Sequence, residues 1–249
     1  MREAGDGFLV RSLASTYPDG FLLAEHHHPW GQLVHGRSGA MRVQAGGQAW
    51  MTPATRAVWV PPSMPHAIRM QGAVAMRTLY VAPQAGSALP QDAGVLEVGP
   101  LLRELILHIL GIGMLGPDRA DHVRLAGVLV DLIADAPRED LSLPMPGDPR
   151  ALAFAGAVQA SPDGRKGLGD LATAAGASLR TLQRLFPRET GLTLEAWRQK
   201  ARMIHAAAAL SAGASVTGAA LDCGYESASA FITAFRRQFG RTPGRYRVA

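Results

Sequence analysis

Three histidines in the first third of the chain have the chemistry and the spacing of a transition-metal site. His26 and His28 are two residues apart, and on a β-strand this spacing points both side chains to one face. His66 would add a third imidazole from another strand. Neutral imidazole suits zinc, nickel, cobalt, iron or copper. The histidines predict a metal centre, while a metal-free small-molecule pocket with a polar lining and purely structural histidines stay open as alternatives.

A second group of candidate residues has the chemistry of a DNA-reading surface. Leu182, Leu185 and Phe186 recur at helical spacing and should face a core. The outer face of the same helix then carries Arg180, Thr181, Gln183 and Arg184. Arginine can bond two guanine acceptors at once, and glutamine can do the same to adenine. This face predicts major-groove recognition, with a solvated polar surface as the alternative.

A second candidate reading helix follows about fifty residues later in the sequence. Phe231, Phe235 and Phe239 form its expected core stripe. The outward residues are Ser229, Thr233, Arg236 and Arg237. Short side chains can contact a thymine methyl group or form single hydrogen bonds, whereas arginines on phosphates position a protein without specifying a sequence. We therefore expect the first helix to supply most of the base discrimination.

Turn and cap residues indicate how these two helices are held. Residues 171–186 and 220–239 share a pattern of a small residue, a turn glycine and a serine that can cap the next helix. Gly176 and Gly224 are the turn glycines. Between the two patterns, Thr193 can cap a helix that would span roughly 27 Å, against the ~34 Å of one DNA turn. Two helix-turn-helix units joined by a long helix are therefore predicted.

The preceding part of the chain predicts a β-rich domain. Seven short apolar segments are separated by glycine and proline at roughly ten-residue intervals, which is typical of a sandwich or barrel. They are residues 21–24, 32–34, 41–43, 48–51, 57–60, 67–70 and 77–81. Apolar residues then recur at helical spacing in 101–110 and 123–132, broken around 111–117. Four prolines in 136–149 indicate a linker.

Charge and composition agree with this division. Residues 1–150 hold 12 arginines and 14 acidic residues, a net charge of −2, while residues 151–249 hold 13 basic and 6 acidic residues, a net charge of +7. A basic carboxyl-terminal part is expected of a module that neutralises phosphates. A single cysteine fits a reducing cytoplasm. The sequence contains no apolar run of about 18 residues, so we expect no membrane span.

Segment 165–247 resembles the DNA-binding domain of the AraC/XylS family of transcription regulators. The resemblance rests on Gly-Tyr-Glu-Ser-Ala-Ser-Ala-Phe at 224–231, Phe-Arg-Arg-Gln-Phe-Gly-Arg-Thr-Pro at 235–243 and Tyr-Arg at 246–247. It implies a sequence-specific regulator that binds double-stranded operator DNA, forms a homodimer through helices at 99–136 and has RNA polymerase as a further possible partner. Pro187 departs from this pattern, and a kink or an end of the first reading helix is expected there.

The amino-terminal part resembles a cupin. The spacing of Gly20, His26, His28, Gln32 and Gly39 is similar to the first cupin motif, and Pro-Pro-Ser-Met-Pro-His at 61–66 is similar to the second. The resemblance implies a small β-barrel with His26, His28, Gln32 and His66 as ligands of a divalent metal. Gln32 stands where a glutamate ligand is usual, and Ser63 stands where a glycine is usual.

Together these observations predict an α+β multidomain chain. The parts are a cupin-like barrel at 1–98, a helical, dimerising segment at 99–136, a linker at 137–150 and an all-α double helix-turn-helix domain at 151–249. We expect a regulator whose DNA binding responds to a metal or a small effector in the barrel. A metal-dependent cupin enzyme fused to a DNA-binding domain, and an architectural DNA-binding protein without effector, are the alternatives.

Overall fold

The structure is a computed structural model that describes residues 7–52, 56–86, 88–211 and 213–248. It divides into two compact units. The first comprises the described residues of Met1–Gly46 and Trp50–Ser142, and the second those of Gly47–Ala49 and Leu143–Ala249. Among the described residues, no helix has the length and apolarity that a membrane span requires.

The first unit is an antiparallel sheet followed by two helices. The strands are β1 Val10–Tyr17, β2 Leu22–His26, β3 Gly31–Ala45, β4 Gln48–Thr52, β5 Arg56–Val60, β6 His66–Val81, β7 Gly94–Glu97, β8 Met114–Leu115 and β9 Arg138–Glu139. Their main order in the sheet is β8-β1-β6-β3-β5-β7-β9, with β2 beside β6 and β4 beside β3. The helices are α1 Pro100–Ile112 and α2 Ala120–Asp135. This confirms the predicted β-rich domain with following helices.

Two central strands are longer than the sequence predicts. The expected strands 32–34 and 41–43 are both part of the 15-residue β3, and 67–70 and 77–81 are both part of the 16-residue β6. Gly39 and Gly72 have φ of +76° and +71°, and the β3–β6 register shifts near Gly39. A Cβ at Gly39 would lie 2.6 Å from the carbonyl oxygen of Ala73. The glycine between the β3 segments therefore marks an irregularity within a continuous strand.

The two faces of the sheet have different surroundings. Leu33 and Leu79 pack with Ile106 of α1 and Leu129 of α2 in one buried cluster. Because side chains alternate along a strand, Gln32 and the other neighbours of these leucines lie on the opposite face. Burial of each such leucine stabilises the fold by about 1.5–3 kcal/mol. The helices thus fix one face, and the other carries the polar residues described below.

A buried ion pair holds part of the segment that the sequence predicts as a linker. Arg56 is 1% exposed, and its Nε and Nη2 atoms donate to the two carboxylate oxygens of Glu139 at 3.0 and 2.9 Å. Glu139 lies on β9, which pairs with β7. Residues 138–139 are therefore a strand of the first unit, because this pairing outweighs the loop tendency of the nearby prolines.

The short strand β10 Ser142–Pro144 begins at the last residue of the first unit, and the second unit is helical after it. Its helices are α3 Pro149–Ala160, α4 Leu168–Ala174, α5 Leu179–Thr190, α6 Leu194–Ser211, α7 Val216–Asp222, α8 Ala228–Phe239 and α9 Pro243–Val248. Pairs α4–α5 and α7–α8 are the two predicted helix-turn-helix units, and α6 is the predicted long helix between them. Pro187 does not end α5, which continues to Thr190.

Aromatic residues form the centre of the second unit. The Phe186 ring lies 5.1 Å from the Trp197 ring and 5.9 Å from the Phe154 ring, centroid to centroid. All three side chains are buried. Phe231 and Phe235, 5.6 Å apart, are buried as predicted for the core stripe of α8, while Phe239, the third residue of that stripe, is half-buried with its ring centroid 4.6 Å from that of Phe235. Each reading helix is thus anchored through its apolar face, which leaves the other face for a partner.

A candidate metal centre and a candidate DNA interface

The three predicted histidines lie together on the face of the sheet that α1 and α2 do not cover. His26 ends β2 and is the direct cross-strand partner of His66, which begins β6. His28 lies two residues beyond β2, in the loop before β3, rather than on the same strand as His26. One ring nitrogen from each of the three lies within 4.8 Å of the other two. The structure therefore assembles a three-imidazole cluster.

Loop geometry contributes to this assembly. The backbone N–H of Ser63 donates to the carbonyl oxygen of His28 at 2.8 Å, which ties the loop before His66 to the loop that carries His28. Ser63 has φ of +61°, a conformation that glycine adopts freely and serine only with strain. The serine thus keeps the backbone shape expected of the glycine in the cupin motif.

Each imidazole is oriented by a main-chain carbonyl. The Nδ1 atoms of His26, His28 and His66 lie 2.8 Å from the carbonyl oxygens of Ala24, Trp30 and Met64, respectively. A carbonyl oxygen can only accept, so each Nδ1 carries the hydrogen and each Nε2 of a neutral ring presents its lone pair. Metal-binding histidines are usually held in this way by a partner of the second nitrogen.

Gln32 connects two of the rings to the sheet. Its Oε1 lies 2.9 Å from Nε2 of His66 and 3.2 Å from Nε2 of His28. Its Nε2 donates to the hydroxyl of Thr78 at 3.1 Å. Gln32 is 1% exposed, so this amide is well shielded from water. The residue therefore lies where the resemblance to cupins implies a ligand.

Burial keeps His28 and His66 uncharged. It lowers the pKa of His66 to about 4, and it also lowers the pKa of His28. The ring of Tyr80 lies 5.2 Å from that of His28, and burial raises the pKa of Tyr80 to about 12. At neutral pH His28 and His66 are neutral imidazoles, the form that binds a metal ion.

Two other histidines of this region lie outside the cluster. His27 is exposed and is not part of the three-histidine cluster. His35 is buried, and its Nδ1 lies 3.1 Å from the carbonyl oxygen of Arg56. The structure therefore brings the three imidazoles and the amide oxygen of Gln32 together, and these atom types suit a divalent transition metal.

The candidate DNA interface begins with α5. Ser178 caps this helix, since its hydroxyl accepts from the backbone N–H of Thr181 at 3.1 Å. Of the predicted reading residues, Arg180, Gln183 and Arg184 are exposed. Thr181 is half-buried, and its hydroxyl lies 3.0 Å from that of Ser178. Three of the four side chains are thus exposed for a groove, while Thr181 takes part in the cap.

The second helix, α8, is built in the same way. Ser227 accepts from the backbone N–H of Ala230 at 3.3 Å. Ser229, Thr233, Arg236 and Arg237 are all exposed, as predicted. The hydroxyl of Thr233 donates to the carbonyl oxygen of Ser229 at 3.0 Å, so its hydrogen is already used. This helix offers small groups near its start and two arginines in its last turn.

Arg202, which the sequence analysis does not identify, holds the turn between α7 and α8 in the second helix-turn-helix unit. Arg202 of α6 donates through Nε to the carbonyl oxygen of Cys223 at 2.8 Å, and its guanidinium lies 5.4 Å from the centroid of the Tyr225 ring. Cys223 is fully buried, and burial raises the pKa of its thiol to about 12. The role of Arg202 depends on contacts 21 and 23 residues away in sequence, which local patterns do not reveal.

Comparison with known proteins agrees with both halves of this description. Residues 9–142 match the family of the AraC-like ligand binding domain, and residues 171–249 match a helix-turn-helix domain family. Over 223 residues the chain is 34% identical to the HTH-type transcriptional regulator NimR of Escherichia coli (strain K12), which covers 89% of this chain and 81% of NimR.

Other similarities are more limited. The chain is 42% identical over 81 residues to the transcriptional activator NphR of Rhodococcus sp, which covers 32% of this chain and 24% of NphR. A crystal structure of ToxT from Vibrio cholerae O395 aligns with 96% of this chain and 97% of its own, at 10% identity and a TM-score of 0.41. The relatives in sequence are transcription regulators, which supports the regulator over the cupin enzyme. With its ligand-binding and helix-turn-helix domains in this order, the chain belongs to the AraC family of transcription regulators.

Proposed function

We propose that this regulator binds a divalent transition-metal ion through His26, His28, His66 and Gln32, and that the ion sets its affinity for a specific operator. The observation that carries the proposal is the convergence of three ring nitrogens within 4.8 Å, with every Nδ1 already bonded to a carbonyl. A structural role would be met by the contacts of His28 and His66 with Gln32 and would not require the ring of His26 to converge on the same point.

Thermodynamic linkage relates the binding of the metal ion to the binding of the operator. If the ion changes operator affinity by some factor, the operator must change the affinity for the ion by the same factor. An ion that bound with equal affinity to both forms of the protein would change nothing. The proposal therefore requires a measured difference in operator binding between the metal-loaded and the metal-free protein.

The metal content of the purified protein tests the site directly. We expect about one equivalent of metal in the wild type and almost none in the double variant His26→Ala/His28→Ala, because two of three imidazole ligands are removed. His27→Ala is the matched control, since His27 is exposed and lies outside the cluster. Elemental analysis of protein prepared with excess zinc, nickel and cobalt is the measurement. A wild type without stoichiometric metal would favour the metal-free effector pocket instead.

We propose further that α5 supplies most of the base discrimination. Arg184 is exposed on this helix, and a bidentate arginine–guanine contact discriminates by about 1–3 kcal/mol. Arg184→Ala is therefore expected to weaken operator binding on the order of 10- to 100-fold and to relax preference at one base pair.

Arg236→Ala serves as the comparison for this prediction. As a phosphate contact it should weaken all sequences about equally and reduce the salt dependence of binding. Titrations against an operator and its single-base variants distinguish the two outcomes. Unchanged sequence preference in Arg184→Ala would contradict the assignment of α5 as the reading helix.

A homodimer is also part of the proposal. Several apolar side chains of α1 and α2 are exposed to solvent, and a subunit interface would bury them. They are Leu101, Leu107, Ile112, Val123 and Val128. A second copy of the chain is the proposed occupant, since paired subunits match the two half-sites that dimeric helix-turn-helix regulators bind. Sedimentation equilibrium of the full chain measures the oligomeric state.

A further inference from the structure

Three acceptor atoms lie close together at the end of the Gln32 side chain: its own Oε1 and the Nε2 atoms of His28 and His66. Its Oε1 lies 2.9 and 3.2 Å from the Nε2 atoms of His66 and His28. The Nδ1 hydrogens of both rings are directed to carbonyl oxygens at 2.8 Å, so neither neutral ring has a hydrogen left for Oε1. Two acceptors facing a third repel one another. This orientation of the amide is favourable when a cation lies among the three atoms.

The reversed amide satisfies the same groups without a cation. An amide nitrogen carries two hydrogens, and rotation by half a turn would place it where Oε1 now lies. It could then donate one hydrogen to Nε2 of His66 and the other to Nε2 of His28. Both neutral rings would accept, and the repulsion would be replaced by two hydrogen bonds.

The hydroxyl of Thr78 can exchange its hydrogen-bond roles when the amide of Gln32 reverses. Its hydroxyl now accepts from Nε2 of Gln32 at 3.1 Å and donates to the carbonyl oxygen of Leu33 at 2.9 Å. When Oε1 faces it instead, the hydroxyl must turn its only hydrogen from Leu33 to Gln32. Leu33 packs on the helix-covered face of the sheet. The hydroxyl thus links the cluster to the backbone of a core strand.

We propose that Gln32 is a two-state element whose amide oxygen faces the imidazoles in the metal-bound protein and whose amide nitrogen faces them in the metal-free protein, with the Thr78 hydroxyl changing its acceptor in step. The orientation inferred for the metal-bound protein rests on the function proposed above. The orientation inferred for the metal-free protein depends only on the hydrogen bonds within the protein. Glutamine, unlike the glutamate carboxylate, can supply both a donor and an acceptor to the same position, as this reversal requires.

Nuclear magnetic resonance of the full chain, labelled with nitrogen-15, tests both halves. After dialysis against a chelator, we expect one side-chain amide nitrogen to show through-hydrogen-bond coupling to two unprotonated histidine nitrogens. That amide should be absent from Gln32→Glu. Addition of one equivalent of zinc should abolish both couplings. The two histidine nitrogens should shift as they become ligands, while the Nδ1 atoms stay protonated.

Substitution of the hydroxyl gives a second measurement. Thr78→Val removes the partner that supports the amide of Gln32 in either orientation, and loss of a partner that supports a metal ligand typically lowers metal affinity by about 10- to 100-fold. Thr52→Val is the matched control, because the buried hydroxyl of Thr52 has no hydrogen-bond partner among the described residues. We expect zinc titration to show weaker binding only for Thr78→Val, with its amide signals altered as well.

The outcomes separate this inference from the proposed function. A metal-free protein in which the Nε2 atoms are protonated, or in which no amide couples to them, would overturn the two-state element whether or not zinc binds. Zinc binding with both couplings retained would also overturn it, because Gln32 would then keep its nitrogen towards the rings. Couplings in the metal-free protein together with no zinc binding would overturn the metal sensor and the switch, and would leave a fixed amide bridge between two histidines.

Discussion

Gly224→Ala is expected to abolish operator binding, whereas Gly176→Ala should weaken it only modestly. Both glycines form the turn of a helix-turn-helix unit, with φ of +69° and +72°, so alanine is strained by about 1–2 kcal/mol at either position. At Gly224, however, an added Cβ would lie 2.2 Å from the carbonyl oxygen of Asp163. At Gly176 it would meet no atom within 4 Å. The backbone must move in the first variant alone.

The difference between the two variants is the quantity to measure. Overpacking against fixed atoms adds about 1–3 kcal/mol to the backbone strain. Urea unfolding of each variant gives the loss of stability, and a binding titration on the same preparation gives the loss of affinity. Equal losses in the two variants would show that the contact between Gly224 and Asp163 has no energetic weight.

Glu139→Gln is expected to destabilise the first unit by about 3 kcal/mol, because it leaves the charge of buried Arg56 without its closest counter-ion. The two carboxylate–guanidinium distances of 3.0 and 2.9 Å make this a bidentate pair. Glu97, whose carboxylate lies 3.9 Å from Arg56, compensates only in part. Glutamine keeps the volume of glutamate, so the effect isolates the charge.

An exposed ion pair of the same unit provides the control. Arg119 and Asp121 are bonded at 2.6 Å, but their side chains are 65% and 49% exposed. Asp121→Asn should therefore change stability very little, since solvent screens exposed pairs. Thermal unfolding followed at several salt concentrations compares both variants. If Glu139→Gln were as mild as Asp121→Asn, the buried pair would not hold β9 in the sheet.

The sequence is most informative where a feature depends on neighbouring residues. The caps at Ser178 and Ser227, the turns at Gly176 and Gly224, and the buried stripe of α8 all follow from spacings of a few residues, and the structure contains each of them. Local rules of helix geometry are sufficient for such features. The double helix-turn-helix was therefore predictable in detail.

Features that depend on distant partners were not predictable in the same way. The strand β1 (Val10–Tyr17) was not among the predicted strands, and its eight residues are fixed by pairing with β6, more than fifty residues away. Arg56 and Glu139 are 83 residues apart, and nothing near either one indicates the other. The sequence predicts separate strands on either side of Gly39, because a glycine that can adopt a positive φ has the same local signature in a turn and in an irregular strand.

The candidate metal centre lies between these two cases. The types and spacing of His26, His28 and His66 indicated a common site, although His28 comes from a loop rather than from the strand. The partners that set the tautomers, such as the carbonyl of Met64, are backbone atoms, so the amino-acid sequence does not indicate them. The bond between Gln32 and Thr78 spans 46 residues and emerges only in three dimensions.

The buried thiol at Cys223 gives this protein an intrinsic probe. It is the single cysteine of the chain, it is fully buried, and its raised pKa keeps it as the unreactive thiol at neutral pH. Modification by a coloured disulfide reagent should therefore proceed only when the turn between α7 and α8 opens. The reaction rate would measure the local opening of the second helix-turn-helix unit without an engineered label. The rate can be compared in the presence and absence of operator or metal.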